Sequence, residues 1–88
     1  MKQIKYFHLT FCPYCLKANR WMEELKRENP AYEALDIVWI HDSKQRAEAA
    51  KYDYYYVPTF FVDNEKLHEG VASKEIVKRV FDAALSEE

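Results

Sequence analysis

Glycine and proline are scarce in this sequence, which has one glycine and three prolines among its 88 residues. A composition so poor in both leaves no flexible linker or low-complexity segment, and no internal repeat is present. No apolar run approaches the roughly 20 residues that a membrane-spanning helix needs. We therefore expect a single domain over residues 1–88, which is long enough to bury one small core.

A net positive charge and targeting signals are also lacking. The formal net charge is −2, so the chain has no basic surface suited to nucleic acid. The first residues lead directly into a strand pattern, without the apolar region and cleavage site of a secretory signal peptide. We expect a cytoplasmic protein that binds neither nucleic acid nor a membrane.

The only two cysteines lie together in the sequence Cys12-Pro13-Tyr14-Cys15. A spacing of three residues at the start of a helix puts both sulfurs on one side of the first turn. Pro13 suits the first helical position because its missing N–H would be unpaired there. Cys12 then faces free N–H groups and the positive end of the helix dipole, which favours the nucleophilic thiolate. Cys15 is more shielded, and the pair predicts redox or metal chemistry.

The apolar pattern predicts the element order β-α-β-α-β-β-α. A helix between the first two strands makes that pair parallel, and a short turn between the last two makes an antiparallel hairpin. Residues 86–88 are expected to fray. The predicted strands span residues 4–9, 35–40, 57–62 and 66–69, and the predicted helices span residues 13–28, 43–51 and 74–85.

Local signals set the ends of these helices. Asn29 precedes Pro30, and the first helix ends there because a residue before proline avoids the α conformation. Asp42 or Ser43 is the expected cap of the second helix, and Ser73 is the expected cap of the last.

Two motifs give the chain a resemblance to glutaredoxins and small thioredoxin-like redoxins. One is the CPYC motif at residues 12–15, between a strand and a helix, and the other is Val57-Pro58-Thr59 at the start of the third strand. The resemblance covers essentially the whole chain. It implies a thioredoxin-like α/β fold, a four-stranded mixed sheet with helices on both faces. It also implies a cis peptide bond before Pro58, which exposes the N–H and C=O of Val57 for pairing with an extended substrate.

Several positions depart from the patterns of these families. Tyr56 stands before Val57-Pro58 where glutaredoxins have threonine. Glutaredoxins commonly carry a lysine three residues before the first cysteine, where this chain has Leu9, and an aspartate before the last helix, where it has Ser73. The candidates left for glutathione contacts are Gly70, Val71 and Ser73. Thioredoxins carry a buried aspartate at the position of Tyr6.

The resemblance implies a thiol–disulfide oxidoreductase that reduces disulfides in proteins or mixed disulfides with glutathione. Cys12 attacks the substrate and Cys15 resolves the mixed disulfide, while Pro13, Tyr14 and Thr59 help to shape the site. No cofactor is bound. The expected partners are disulfide-bearing proteins or small molecules, and a reductant that is either glutathione or a thioredoxin-reductase-type flavoenzyme. Small redoxins of this kind are usually monomers.

Three other functions remain open from the sequence. Zinc binding would use both cysteines and two of the dispersed histidines His8, His41 and His68. A glutathione-dependent dimer could carry an iron–sulfur cluster on the first cysteine, although such proteins usually lack the second. A peptide-binding module would use the groove at Pro58 without any redox chemistry.

Several other side chains have two interpretations. His8 either assists proton transfer or is a partly buried strand residue. Lys44, Arg46 and Lys51 either hold a carboxylate of glutathione or form a solvated helical face. A run of tyrosines either lines a surface beside the cysteines or packs over the sheet edge, and it comprises Tyr52, Tyr54, Tyr55 and Tyr56.

Overall fold

A four-stranded sheet lies at the centre of the protein, whose computed structural model describes residues 1–86. The elements in chain order are β1 (Ile4–His8), α1 (Pro13–Glu28), α2 (Pro30–Glu33), β2 (Ile37–His41), α3 (Arg46–Ala49), β3 (Thr59–Val62), β4 (Glu65–Glu69) and α4 (Lys74–Leu85). The strands are arranged in the order β2-β1-β3-β4. The predicted mixed sheet with flanking helices is confirmed.

The strand directions follow the sequence expectations. β1 pairs in parallel with β2, with Ile4 opposite Ile37, because the intervening helices return the chain to the same edge of the sheet. β3 and β4 form the expected antiparallel hairpin. β1 also pairs with β3, antiparallel, with Phe7 opposite Thr59.

The sheet separates two apolar layers. Adjacent residues of a strand point to opposite faces, so Tyr6 belongs to the layer under α1 and α4 while Phe7 belongs to the layer under α3. Both side chains are fully buried, as the non-alternating apolar pattern of this strand predicts for a central position. The β1 strand is therefore fixed from both sides, and it leads directly to the cysteine loop.

The predicted element order lacked α2. Asn29 ends α1 as expected, but its side chain also accepts the N–H of Ala31 at 3.0 Å, and Pro30 occupies the first position of a new turn. An asparagine cap followed by proline is a helix start as well as a stop. The N–H of Ser86 still bonds the carbonyl of Asp82 at 3.2 Å, and the expected fraying of residues 87–88 lies outside the described residues.

Three elements begin two or three residues later than predicted. β2 begins at Ile37 rather than at residue 35. α3 begins at Arg46 rather than after Asp42 or Ser43, because the ring of His41 accepts the N–H of Lys44 and closes the preceding turn. β3 begins at residue 59 rather than 57, because proline has no N–H to donate to a neighbouring strand.

Candidate active site

Three loops meet at one edge of the sheet because of the way the strands pair. Phe7, near the end of β1, lies opposite Thr59 at the start of β3, and Thr59 lies opposite Glu69 at the end of β4. The cysteine loop after β1, the Pro58 segment before β3 and Gly70 after β4 therefore come together. A hydrogen bond of 2.8 Å from the N–H of Gly70 to the carbonyl of Pro58 joins the last two.

Cys12 is the N-cap residue of α1, as the motif predicted. Its carbonyl accepts the first helical hydrogen bond, from the N–H of Leu16 at 2.9 Å, and its partly exposed sulfur makes no capping hydrogen bond. Within residues 1–86 the N–H groups of Tyr14 and Cys15 have no backbone partner. The first turn of α1 contains no acidic residue. A negative charge on the Cys12 sulfur would therefore meet free donors and no competing carboxylate.

Cys15 differs from Cys12 in its surroundings. Its side chain is 0% exposed, and it forms a hydrogen bond with the side chain of Cys12. The pKa of Cys15 is raised to about 12, chiefly by burial. A hydrogen bond from the backbone of Leu9 opposes this rise, and the hydrogen bond with Cys12 and the charge of a Cys12 thiolate add to it. Cys15 therefore keeps its proton at neutral pH, as the sequence interpretation required of a resolving thiol.

The turn that presents the cysteines has an exposed apolar rim. Phe11 has a left-handed backbone with φ of 64° and a side chain that is 85% exposed, which is uncommon for a bulky residue. Tyr14 is 50% exposed. Pro13 occupies the first helical position as predicted. Aromatic rings exposed on both sides of a partly exposed cysteine provide contact area for a partner.

His41 ties this turn to the neighbouring strand. Its Nδ1 accepts the N–H of Lys44 at 3.1 Å, and its Nε2 accepts the N–H of Thr10 at 3.2 Å. Nε2 also forms a hydrogen bond with the hydroxyl of Thr10, at 2.8 Å, two residues before Cys12. No sequence pattern indicated a part for His41 in positioning the cysteine turn, since the two bonded residues are 31 positions apart.

The residues around Pro58 lie beside the cysteine turn. The peptide bond between Val57 and Pro58 is cis, as the resemblance implied. Thr59 is fully buried, and its hydroxyl donates to the carbonyl of Tyr56. Within the described chain the N–H and C=O of Val57 have no hydrogen-bond partner. The use of these groups by a substrate stays a prediction.

The candidate glutathione contacts are only partly available. Gly70 has a φ of 93°, which disfavours any side chain there. Val71 is 63% exposed, but its carbonyl bonds Nε2 of His68 at 2.8 Å. Ser73 caps α4 as predicted, and its hydroxyl accepts the N–H of Ile76 at 3.1 Å. The hydroxyl of Ser73 is therefore already used within the fold.

The run of tyrosines divides between the two interpretations. Tyr52 and Tyr54 pack on Phe7 with ring centroids 5.0 and 4.6 Å away. Tyr55 and Tyr56, in contrast, are 84% and 70% exposed immediately before Val57. Half of the run is core and the other half belongs to the surface beside the site.

The basic side chains after β2 are mostly engaged. Arg46 pairs with Asp42 at 3.4 Å, and Lys51 pairs with Glu48 at 3.1 Å. Lys44 has no ion pair within residues 1–86. Two of the three cations proposed for glutathione therefore already have carboxylate partners.

His8 is half-buried in an aromatic cluster. Its ring stacks on Tyr6 at 5.3 Å and lies edge-on to Trp39 and His41. Burial lowers the pKa of His8, and the nearby His41 lowers it further. His8 is thus held neutral at pH 7.

Tyr6 is the site residue that sequence reasoning missed. Its buried hydroxyl lies 2.7 Å from Oδ1 of Asn19 and 3.2 Å from the carbonyl of Cys15. Burial, and then the two cysteines, raise the pKa of Tyr6 far above its ordinary range. The position where thioredoxins carry an acid here holds a neutral donor that anchors the cysteine helix to β1.

The described part of the chain offers no gathered set of metal ligands. No three side chains among its histidines, cysteines, aspartates and glutamates come together in a way that could hold a metal ion. Nor does any of its helices combine the length and the apolar character needed to cross a bilayer.

The comparisons with known proteins agree with this geometry. The chain is 29% identical over 73 residues to a thioredoxin from Methanocaldococcus jannaschii, across 83% of this chain and 84% of that protein. It superposes on a malarial protein with a TM-score of 0.74 and 16% identity, over 98% of this chain and 99% of the other. It also superposes on an uncharacterized thioredoxin-like protein from Clostridium perfringens with a TM-score of 0.72 and 24% identity, over 100% of this chain and 74% of the other. These two structures show the thioredoxin-like fold.

A family model matches most of the chain. The model is that of glutaredoxin, and it covers residues 4–67, which include both cysteines and the Val57-Pro58 segment. This match and the thioredoxin relative support a thiol redox function. The chain belongs to the glutaredoxin family.

Proposed function

We propose that this protein is a thiol–disulfide oxidoreductase that reduces protein disulfides or mixed disulfides with glutathione by dithiol exchange. The observation that carries the proposal is the contrast between the two sulfurs. Cys12 is partly exposed at a helix start with free N–H donors, whereas Cys15 is fully buried and its pKa is raised to about 12. Dithiol exchange needs one thiolate that attacks the substrate and a second thiol that reacts only after the mixed disulfide has formed.

The proposed reaction has two steps. The Cys12 thiolate attacks one sulfur of the substrate disulfide, a Cys12–substrate bond forms, and the other substrate sulfur leaves as a thiolate that takes up a proton. Cys15 then loses its proton and attacks the sulfur of Cys12. The second substrate thiol is released, and a Cys12–Cys15 disulfide remains. Two electrons pass from the protein to the substrate, and an external reductant must return them.

The surroundings of Cys12 support a peptide-like substrate. The free N–H and C=O of Val57 lie on the segment that faces the cysteine turn, and they could pair with an extended backbone. Phe11, Tyr14 and Tyr56 are exposed around them. In this proposal the backbone pairing orients the substrate sulfur and the rings cover it.

Two reductants are consistent with the site. Glutathione is the reductant that the family favours, and the partly exposed Gly70–Val71 segment is its proposed contact. Three observations favour a thioredoxin-reductase-type flavoenzyme. Leu9 replaces the lysine of glutaredoxins, the hydroxyl of Ser73 is already bonded within the fold, and the chain shares 29% sequence identity with a protein named thioredoxin.

A coupled assay tests both the function and the reductant. The oxidised protein is supplied with a disulfide substrate, NADPH and either glutathione with glutathione reductase or thioredoxin reductase alone, and NADPH loss is followed. We expect turnover with at least one system and none for a folded Cys12→Ser variant. Native protein that is inactive with both systems, or a Cys12→Ser variant as active as the native protein, would overturn the proposal.

A further inference from the structure

A shallow groove of about 260 Å³ runs from the cysteine turn along α1. It lies between that helix and the segment before α4. Its lining residues are Tyr14, Lys17, Arg20, Trp21, Val71 and Ala72. Because Tyr14 lies between the two cysteines in the chain, one end of the groove adjoins the cysteine turn.

The groove carries two positive charges that nothing in the fold neutralises. Lys17 and Arg20 are three residues apart and therefore lie on the same side of α1. Neither forms an ion pair within residues 1–86. On α4, by contrast, Lys74 pairs with Glu24 at 3.2 Å and Arg79 pairs with Glu75 at 2.8 Å. Six of the thirteen lysine and arginine side chains form ion pairs within the described residues, and the two at the groove are among those that do not.

No carboxylate is among the residues that line the groove, and Glu24, one helical turn beyond Arg20, is paired with Lys74. Residues 1–22 include Lys17 and Arg20 and no aspartate or glutamate, and the segment 70–73 is uncharged. The whole chain nevertheless has a formal charge of −2. Attraction for an anionic partner therefore has to come from this local surface, and it acts over about a Debye length, roughly 8 Å at physiological salt.

The rest of the groove is apolar. Tyr14 is 50% exposed and Val71 is 63% exposed, and Trp21 lies partly buried beside them. An apolar strip with two unpaired cations complements a peptide in which an apolar side chain is accompanied by acidic residues. An uncharged or basic segment would leave both cations unpaired.

We infer that this groove binds an acidic segment that flanks the reactive cysteine of a protein substrate. The inference rests on the proposed function, because a substrate disulfide must first reach Cys12. At 1.5 Å of rise per residue, Lys17 and Arg20 lie roughly 7 and 12 Å along the helix axis from Cys12. An extended peptide covers about 3.3 Å per residue. The acidic residues are therefore expected about two and four positions from the substrate cysteine.

The test uses matched peptides that each contain one cysteine, held as a mixed disulfide with 2-mercaptoethanol. The positions two and four residues away, on either side of the cysteine, carry aspartate, asparagine or lysine. Reduced protein in excess is mixed with peptide, the reaction is quenched with acid, and the freed peptide is separated and quantified. A single turnover needs no external reductant, so the result does not depend on whether glutathione or a flavoenzyme recycles the protein.

We expect the aspartate peptide to react roughly five- to tenfold faster than the asparagine peptide at low salt, from two exposed charge pairs. The ratio should fall towards one at high salt. In a Lys17→Glu/Arg20→Glu variant the order should invert, so that the lysine peptide reacts fastest. A Lys26→Glu/Arg27→Glu variant has the same net charge, changes the other end of the helix, and should keep the native order. Each readout is the ratio of the rates of two peptides on the same variant. A general loss of stability lowers both rates equally and leaves the ratio unchanged.

Each other outcome has a definite meaning. Equal rates for the three peptides on the native protein would overturn the inference and leave the proposed function intact. An unchanged peptide ratio in the Lys17→Glu/Arg20→Glu variant, together with a loss of activity on glutathione disulfide, would also overturn it and assign the groove to a small anionic thiol. Failure to reduce any peptide would overturn the proposed function, and the inference with it.

Discussion

The carboxylate of Glu69 at the end of β4 accepts the backbone N–H of Tyr56, at 2.9 Å, across to the segment before Pro58. The same oxygen accepts the N–H of Tyr55, and the other oxygen bonds Nζ of Lys66 at 2.7 Å. The exposed loop beside the cysteine turn has no regular secondary structure. Glu69 holds it together with Lys66, which bonds the carbonyl of Asp53 at 3.1 Å, and Thr59, which bonds the carbonyl of Tyr56. The position of this loop determines where the free backbone groups after Tyr56 are presented.

Replacing Glu69 by glutamine should loosen this loop. The amide keeps one acceptor oxygen but loses the charge that binds Lys66 and strengthens the two N–H bonds. We expect faster hydrogen exchange at the amides of Tyr55 and Tyr56, and a KM for peptide disulfides that rises about threefold or more with little change in kcat, from the loss of one or two charge-assisted hydrogen bonds. Glu65→Gln, an exposed change in the same strand, is the control. Unchanged exchange at both amides would contradict the role given to Glu69.

The same contact predicts a dependence on pH. The hydrogen bond from Lys66, and then the N–H of Tyr55, lower the pKa of Glu69 to about 2. Since the folded-state value lies below the ordinary value of 4.5, the stabilisation is complete above about pH 4.5 and is lost as the pH falls towards 2. Amide exchange at Tyr55 and Tyr56, followed from pH 6 to 2.5 and corrected for intrinsic rates, should show lost protection in this window. The Glu69→Gln variant should show no such step.

The two thiols should be separable by alkylation. Because the pKa of Cys15 is about 12 and its side chain is fully buried, we expect one equivalent of label at Cys12 between pH 6 and 9, and a second only after unfolding. A Cys15→Ser variant should accumulate the Cys12 mixed disulfide with substrate, since no resolving thiol remains. Mass spectrometry detects both products. Initial labelling at Cys15, or no trapped adduct, would contradict the assigned roles.

The sequence predicted the sheet and the cysteine pair because their signals are local or periodic. Apolar runs marked the buried strands, and the spacing of Cys12 and Cys15 placed both at a helix start. The contacts that position the site were not predictable. Glu69 lies 13 residues from Tyr56 and reads as an exposed strand residue, and only the pairing of β3 with β4 brings the two together.

Two substitutions of Ser73 distinguish its role as a helix cap from a role in glutathione binding. Ser73→Ala removes the acceptor of the Ile76 N–H and should lower the free energy of unfolding by about 1 kcal/mol. Ser73→Asp preserves the cap, because aspartate caps as well as serine. It also supplies the acidic group that glutaredoxins carry there. We expect Ser73→Asp to keep native stability and to increase turnover with glutathione, as measured by denaturant unfolding and by the coupled assay. Equal glutathione turnover in the native and Ser73→Asp proteins would show that this position does not limit glutathione use.

Tyr6→Phe should loosen the cysteine helix without disturbing the core. The ring of Tyr6 stacks on Phe60 at 4.8 Å, and phenylalanine retains that packing. The lost hydroxyl leaves Oδ1 of Asn19 without its donor and should lower the free energy of unfolding by about 1 kcal/mol. It also removes the contact with the carbonyl of Cys15, 3.2 Å away, so Cys15 should become measurably reactive to alkylation in the folded protein.

The control for that change is Tyr32→Phe. The hydroxyl of Tyr32 is bonded to Asp82, a residue of α4 rather than of the cysteine helix, and its ring is also buried. We expect a comparable loss of stability in denaturant unfolding but no change in the protection of Cys15. If both variants expose Cys15 equally, the effect is one of general stability. If only Tyr6→Phe does, this hydroxyl is what keeps the resolving thiol buried, because no other change distinguishes the two variants at the cysteines.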